Sequence, residues 1–136
     1  MYEPLTELMP ELSEGEYGTL VVDRESKGTM DDPIRMPFIG YSPAVNKLEK
    51  AIYAFVKEHP EYGLTKYEEI LKANGLEWSS RSMGAADVSQ ADGKIVMALL
   101  VGGLRAERFS EGTFLRFCED GSVVRWLKRL KEIDDE

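Results

Sequence analysis

Two arginines, Arg105 and Arg108, stand three residues apart at the end of the most apolar stretch of the chain, in the run Arg105-Ala106-Glu107-Arg108-Phe109-Ser110-Glu111-Gly112. On a helix this spacing puts both guanidinium groups on one face, while Glu107 and Glu111, four apart, can pair with them or with the next helix. Planar guanidinium groups suit carboxylates and other anions, so the chemistry on offer is anion holding, with Glu107 nearby as an acid or base. The same residues also have a purely structural use. Positive charge near a helix C-terminus complements the macrodipole, Phe109 anchors the helix end, and Gly112 lets the chain reverse. That use is the simpler of the two.

Other reactive side chains are sparse. His59, the only histidine, lies in the helix-ending turn Glu58-His59-Pro60, where exposed polar residues are ordinary. With one His and one Cys there is no zinc constellation, and Asp31, Asp32, Asp87 and Asp92 form no recognised cation spacing, so no metal or cofactor is expected. Gly102-Gly103 lacks the strand, the third glycine and the Lys-Ser/Thr pair of a phosphate loop; close approach of a neighbouring backbone is the simplest reason for it. A helix-turn-helix drawn from Thr65–Leu71 through Gly75 into Ser79–Gln90 would carry one basic residue, Arg81, on its second helix. The stretch from Trp78 to Ala91, rich in Ser, Gly, Ala and Asp, reads as a long surface loop, which makes Trp78 and Arg81 candidate contacts.

The elements that would position these residues follow from periodicity. Leu5, Leu8, Met9 and Leu12 predict a short acidic amphipathic helix within residues 1–16. Tyr17–Asp23 and the alternation Ile34, Met36, Phe38 predict an antiparallel β-hairpin over 17–41, joined through Gly28 and Asp31-Asp32-Pro33. From Ser42-Pro43 a helix with the stripe Val45, Leu48, Ile52, Phe55 begins, and Thr65-Lys66-Tyr67-Glu68 reads as the capping box of a second. Ile95 to Phe109, apolar on nearly every side, is the expected central buried helix. A further helix carries Phe114 and Phe117, and Ser122 caps a last one with Val123, Trp126, Leu127 and Leu130 inward. The expected fold is α+β but mainly helical: one domain over 1–136, with a helical bundle (42–133) around the buried central helix and the N-terminal hairpin covering or flanking it.

A hydrophobic fraction of 43% over 136 residues is enough to close one core without disulfides. The net charge of -8 repels phosphate on average, so binding to nucleic acid or anionic membrane is not favoured. Acid gathers at the ends, whereas Arg116, Arg125, Lys128, Arg129 and Lys131 make the stretch before the tail locally basic, which keeps nucleic acid as an alternative partner. A single cysteine, Cys118, suits a reducing compartment. With no signal-like start and no apolar run of 18 residues, the expectation is a cytoplasmic protein that does not enter the membrane.

The string Arg105-x-Glu107-Arg108-Phe109-x-Glu111-Gly112, followed by Gly121 and Arg129-Leu130, resembles the C-terminal signature of the family catalogued as domain of unknown function 6508. Upstream, Pro37-Phe38, Tyr41 and Tyr53 resemble its N-terminal aromatic segment, so the likeness runs from about Leu8 to Leu130. It implies a cytoplasmic protein, brings no activity, and singles out Arg105, Glu107, Arg108, Phe109 and Gly112. The expected function is a non-enzymatic interaction or regulatory module, whose partner is another protein or a second copy of the chain. The rivals are nucleic-acid binding through the basic C-terminal helices and an enzyme holding an anionic substrate at the Arg105/Arg108 corner.

Overall fold

The structure is a computed structural model that describes residues 1–12, 42–110 and 112–136 with their side chains, and 18–21 and 38–41 as backbone. Chain order is α1 (Glu3–Thr6), α2 (Met9–Leu12), β1 (Gly18–Val21), β2 (Phe38–Tyr41), α3 (Pro43–Glu58), α4 (Tyr67–Ala73), α5 (Ser80–Gly84), α6 (Gly93–Glu107), α7 (Thr113–Glu119) and α8 (Ser122–Asp135), with 3-10 turns at Pro60–Tyr62 and Leu64–Lys66.

This corrects the expected α+β class: the body is helical, and no β-hairpin layer forms part of it. The only strands among the described residues are β1 and β2, paired antiparallel with Gly18 opposite Tyr41 and Val21 opposite Phe38. Strands of four residues present too little apolar face to make a layer. The predicted second strand at Ile34–Phe38 and the loop through Gly28 and Asp31–Pro33 lie outside the described residues, apart from Phe38 itself.

The bundle is built around α6. Asp92 caps it, its carboxylate accepting the Ile95 N–H at 2.9 Å, and every residue from Val96 to Leu104 is buried. A helix apolar on all sides needs partners on all sides; α3, α4, α7 and α8 each pack on it. Among them α3 forms where the sequence places it. Ser42 Oγ accepts the Val45 N–H, Pro43 starts the first turn, and Val45, Leu48, Ile52 and Phe55 form the buried stripe up to the stop before Pro60. Short α1 and α2 bury Leu5 and Leu12 and lie against α3 and α8. Tyr2 docks that end: its backbone N–H donates to Asp134, its ring stacks on Phe55, and its hydroxyl bonds Tyr62 at 2.7 Å.

Gly102 and Gly103 make room for side chains rather than for a neighbouring backbone. A methyl at Gly102 would come within 3.1 Å of Met83 and 3.4 Å of Trp78, and one at Gly103 within 3.3 Å of Phe114. Three local features differ from the sequence reading. Thr65 caps nothing, because the 3-10 turn that buries Leu64 ends on Lys66, the residue before α4. Ser122 opens α8 as a buried first residue instead of capping it, with Gly121 at φ 84° making the turn and Asp120 accepting the Ser122 N–H. The predicted loop from Trp78 contains α5, capped by Ser79, whose hydroxyl accepts the Ser82 N–H.

Cys118 is unpaired and buried on α7. Burial, with the charges of Asp120, Glu119 and Glu107 adding to it, pushes its thiol up to about 12 from an ordinary value of about 9. An unfolded thiol loses its proton near pH 9 while the folded one keeps it, so this group's stabilising contribution is full below pH 9 and is lost as pH rises toward 12. The expected result at pH 8 is that a disulfide reagent labels the native chain at least about a hundredfold more slowly than the urea-unfolded chain. Comparable rates in the two states would contradict the burial.

Candidate functional site

The end of α6 is a corner where α3, α4, the segment after α4 and the turn into α7 meet. Arg105 lies half-buried with its guanidinium carbon 5.7 Å from the centre of the Tyr53 ring on α3, a cation–π contact. Tyr67, on the first turn of α4, meets Trp78 edge to face at 5.4 Å, and Trp78 meets Phe109 in the same way at 5.7 Å. The indole N–H of Trp78 donates to the Gly102 carbonyl at 2.9 Å, which fixes the ring against α6. Burial and the Glu68 charge push the Tyr67 phenol up, while Arg105 and Arg108 pull it back down, so both arginines act electrostatically on that ring. A groove of about 280 Å³ adjoins the ring of Trp78, lined also by Glu68, Glu69, Lys72, Leu76 and Glu77.

Glu107 has a different job from the one its spacing suggested. Its two carboxylate oxygens accept the backbone N–H of Gly112 at 2.7 Å and of Phe114 at 2.9 Å, so it caps the start of α7 instead of pairing with an arginine. Gly112 does take the left-handed conformation, φ 93°, that the reversal requires. Phe109 was expected to anchor the helix end, yet it is 81% exposed and touches Trp78 only along its edge. Arg108 is exposed, and neither Arg105 nor Arg108 forms an ion pair among the described residues. Of the other predicted contacts, Trp78 joins the corner; Arg81 sits exposed on α5, and among the described residues no hydrogen bond or ion pair ties its side chain to that corner.

Tyr53, Tyr67, Glu68 and Glu77 belong to the corner and are not among the candidate contacts read from the sequence, where Tyr53 enters only through the family resemblance and Tyr67 and Glu68 only as part of an expected helix start. Tyr53 and Tyr67 are half-buried positions beside apolar stripes, and they pair with Arg105 and Trp78 across separate elements, which local periodicity does not encode. A second groove, about 430 Å³, lies between the segment Tyr62–Asn74 and the start of α6, with Lys66, Glu69, Asp92 and Lys94 in its lining.

Two of the five basic C-terminal residues, Arg125 and Arg129, are engaged within the fold. Arg125 donates to the Gly84 carbonyl at 2.8 Å and Arg129 to the Ala91 carbonyl at 2.8 Å, pinning the segment between α5 and α6 onto α8; Arg129 also faces Glu132 and Glu136. Among the described residues no cluster of His, Cys, Asp and Glu could hold a metal ion, and no helix is long and apolar enough to cross a membrane.

No curated protein and no solved structure matches the chain. A family model does, over residues 2–136, which takes in both the aromatic N-terminal half and the Arg-Phe-Gly segment. The chain therefore belongs to the family of unknown function DUF6508.

Proposed function

We propose that the chain is a non-enzymatic interaction module of a reducing compartment, the cytoplasm, and that the corner of Arg105, Arg108, Phe109 and Trp78 is its contact surface. The observation that carries this reading is the exposure of Phe109: a large apolar ring, 81% open to solvent, held against a fixed indole and flanked by Arg108, which has no ion pair among the described residues. Aromatic residues and arginine are the side chains that anchor protein interfaces, because they bring large contact area with little conformational freedom to lose. The buried free thiol of Cys118 fits a compartment without disulfide formation.

Both rival readings lose support from side chains already in use. An enzyme at this corner needs Glu107 as acid or base, and that carboxylate already holds two backbone N–H groups. A nucleic-acid face on the C-terminal helices would draw on Arg116, Arg125, Lys128 and Arg129, and two of these four, Arg125 and Arg129, already donate to carbonyl oxygens.

The test uses the immobilised wild-type chain and Phe109→Ser in parallel. The expected result is a protein retained by the wild type and lost, by at least about tenfold, from the variant. Retention that ignores Phe109, or retention only of DNA or RNA that vanishes with added salt, would contradict the reading.

A further inference from the structure

We infer that the occupant of this corner is a second copy of the same chain, bound about a two-fold axis through the Trp78–Phe109 pair; the inference rests on the reading of the corner as a contact surface. In a two-fold contact residue i of one copy meets residue j of the other and j meets i, so the surface must be complementary to itself. This one carries the parts in sequence. Trp78 lines the groove that Glu68, Glu69 and Glu77 make acidic on balance against the single cation Lys72, and it also meets Phe109, the residue that follows Arg108. Glu68, Glu77 and Arg108 are all exposed, and none of them forms an ion pair among the described residues.

Acid, aromatic centre and base in one patch give a copy turned through 180° aromatic against aromatic at the axis, and base against acid twice. Phe109 of each copy then enters the groove beside Leu76 and Trp78 of the other, which covers the apolar ring, while Arg108 reaches Glu68 and Glu77. An acidic partner would be repelled by those glutamates, and a basic one by Arg105 and Arg108. A partner that bears both signs in the same arrangement satisfies the whole patch, and the chain itself is such a partner. The net charge of -8 opposes the approach of two copies at long range, so the contact needs salt of about 0.15 M to screen that repulsion.

Sedimentation velocity on the full chain at that ionic strength tests the inference through charge exchange. The wild type is expected to be dimeric at about 100 µM, and Arg108→Glu and Glu77→Arg each to weaken the dimer by at least about tenfold. Mixing the two variants is expected to restore it, because both symmetric contacts then pair an arginine with a glutamate, whereas each variant alone pairs like charges. Phe109→Ser tests the aromatic centre without altering charge and is expected to dissociate the dimer.

A wild type that stays monomeric at about 1 mM, a dimer indifferent to Phe109, or a mixture no tighter than either variant would overturn the inference. A monomer that still captures another protein through Phe109 would overturn the second copy while leaving the contact surface standing. A monomer with no such capture would overturn both.

Discussion

Replacing Trp126 by alanine is expected to destabilise the chain by about 3–5 kcal/mol, the range for emptying a fully buried aromatic site, and to lower Tm by about 10–20 °C. Trp126 has no exposed surface and packs its ring 5.3 Å from that of Phe117, where α8 closes on α6 and α7. A domain of this size holds about 5–15 kcal/mol in all, so this one truncation removes a large part of its margin. The indole carries a complication, since its N–H has no hydrogen-bond partner among the described residues. Burying a donor without a partner costs about 1–3 kcal/mol, and Trp126→Phe relieves that cost while leaving a smaller void. The phenylalanine variant is therefore expected to lose less than half of what the alanine variant loses in urea unfolding. Equal losses would mean that the N–H is satisfied in solution.

Glu107→Ala is expected to cost about 2–3 kcal/mol, a large effect for a half-buried surface-side residue. Two charge-assisted bonds disappear together, to Gly112 and Phe114, at the start of a helix whose dipole favours a negative charge there. Because α7 carries Phe114, Phe117 and Cys118 into the core, loosening its first turn also loosens that packing. Glu107→Gln keeps one acceptor and turns a donor toward the other N–H, so about half of the loss is expected. Amide hydrogen exchange at Phe114 provides a local check: exchange should speed up in Glu107→Ala even in conditions where the chain remains folded.

How much of this was legible in the sequence depends on the range over which each feature is determined. Helix α3 follows from Ser42-Pro43 and a stripe of four apolar residues, all local, and α6 from an apolar run that only burial explains. Thr65 and Ser122 look like caps by type. Each was displaced by a neighbour with a stronger demand: the inward turn of Leu64 in one case, and in the other Gly121 with the Asp120 carboxylate. The α+β expectation gave the alternation around Phe38 more weight than a four-residue ladder can bear. At the corner, Arg105, Arg108 and Phe109 could be read as a unit because they lie within one helical turn. Their aromatic partners Tyr53, Tyr67 and Trp78 come from three separate segments, and only packing on α6 brings them together. The opposite uses of Glu107 and Phe109 were likewise hidden, since periodicity alone places both near the exit of a buried helix and does not say which side chain turns back to the backbone.

That division of labour is the claim on which the rest stands: Glu107 holds the fold, and Phe109 is left over for contact. Thermal unfolding of Glu107→Ala and Phe109→Ser, side by side with the wild type in dilute solution, tests it in one measurement. The account predicts a Tm clearly lowered for Glu107→Ala and, for the exposed ring, a stability change within about 0.5 kcal/mol. A Phe109→Ser variant that melts as early as Glu107→Ala would make the ring a brace of the bundle and contradict the contact surface.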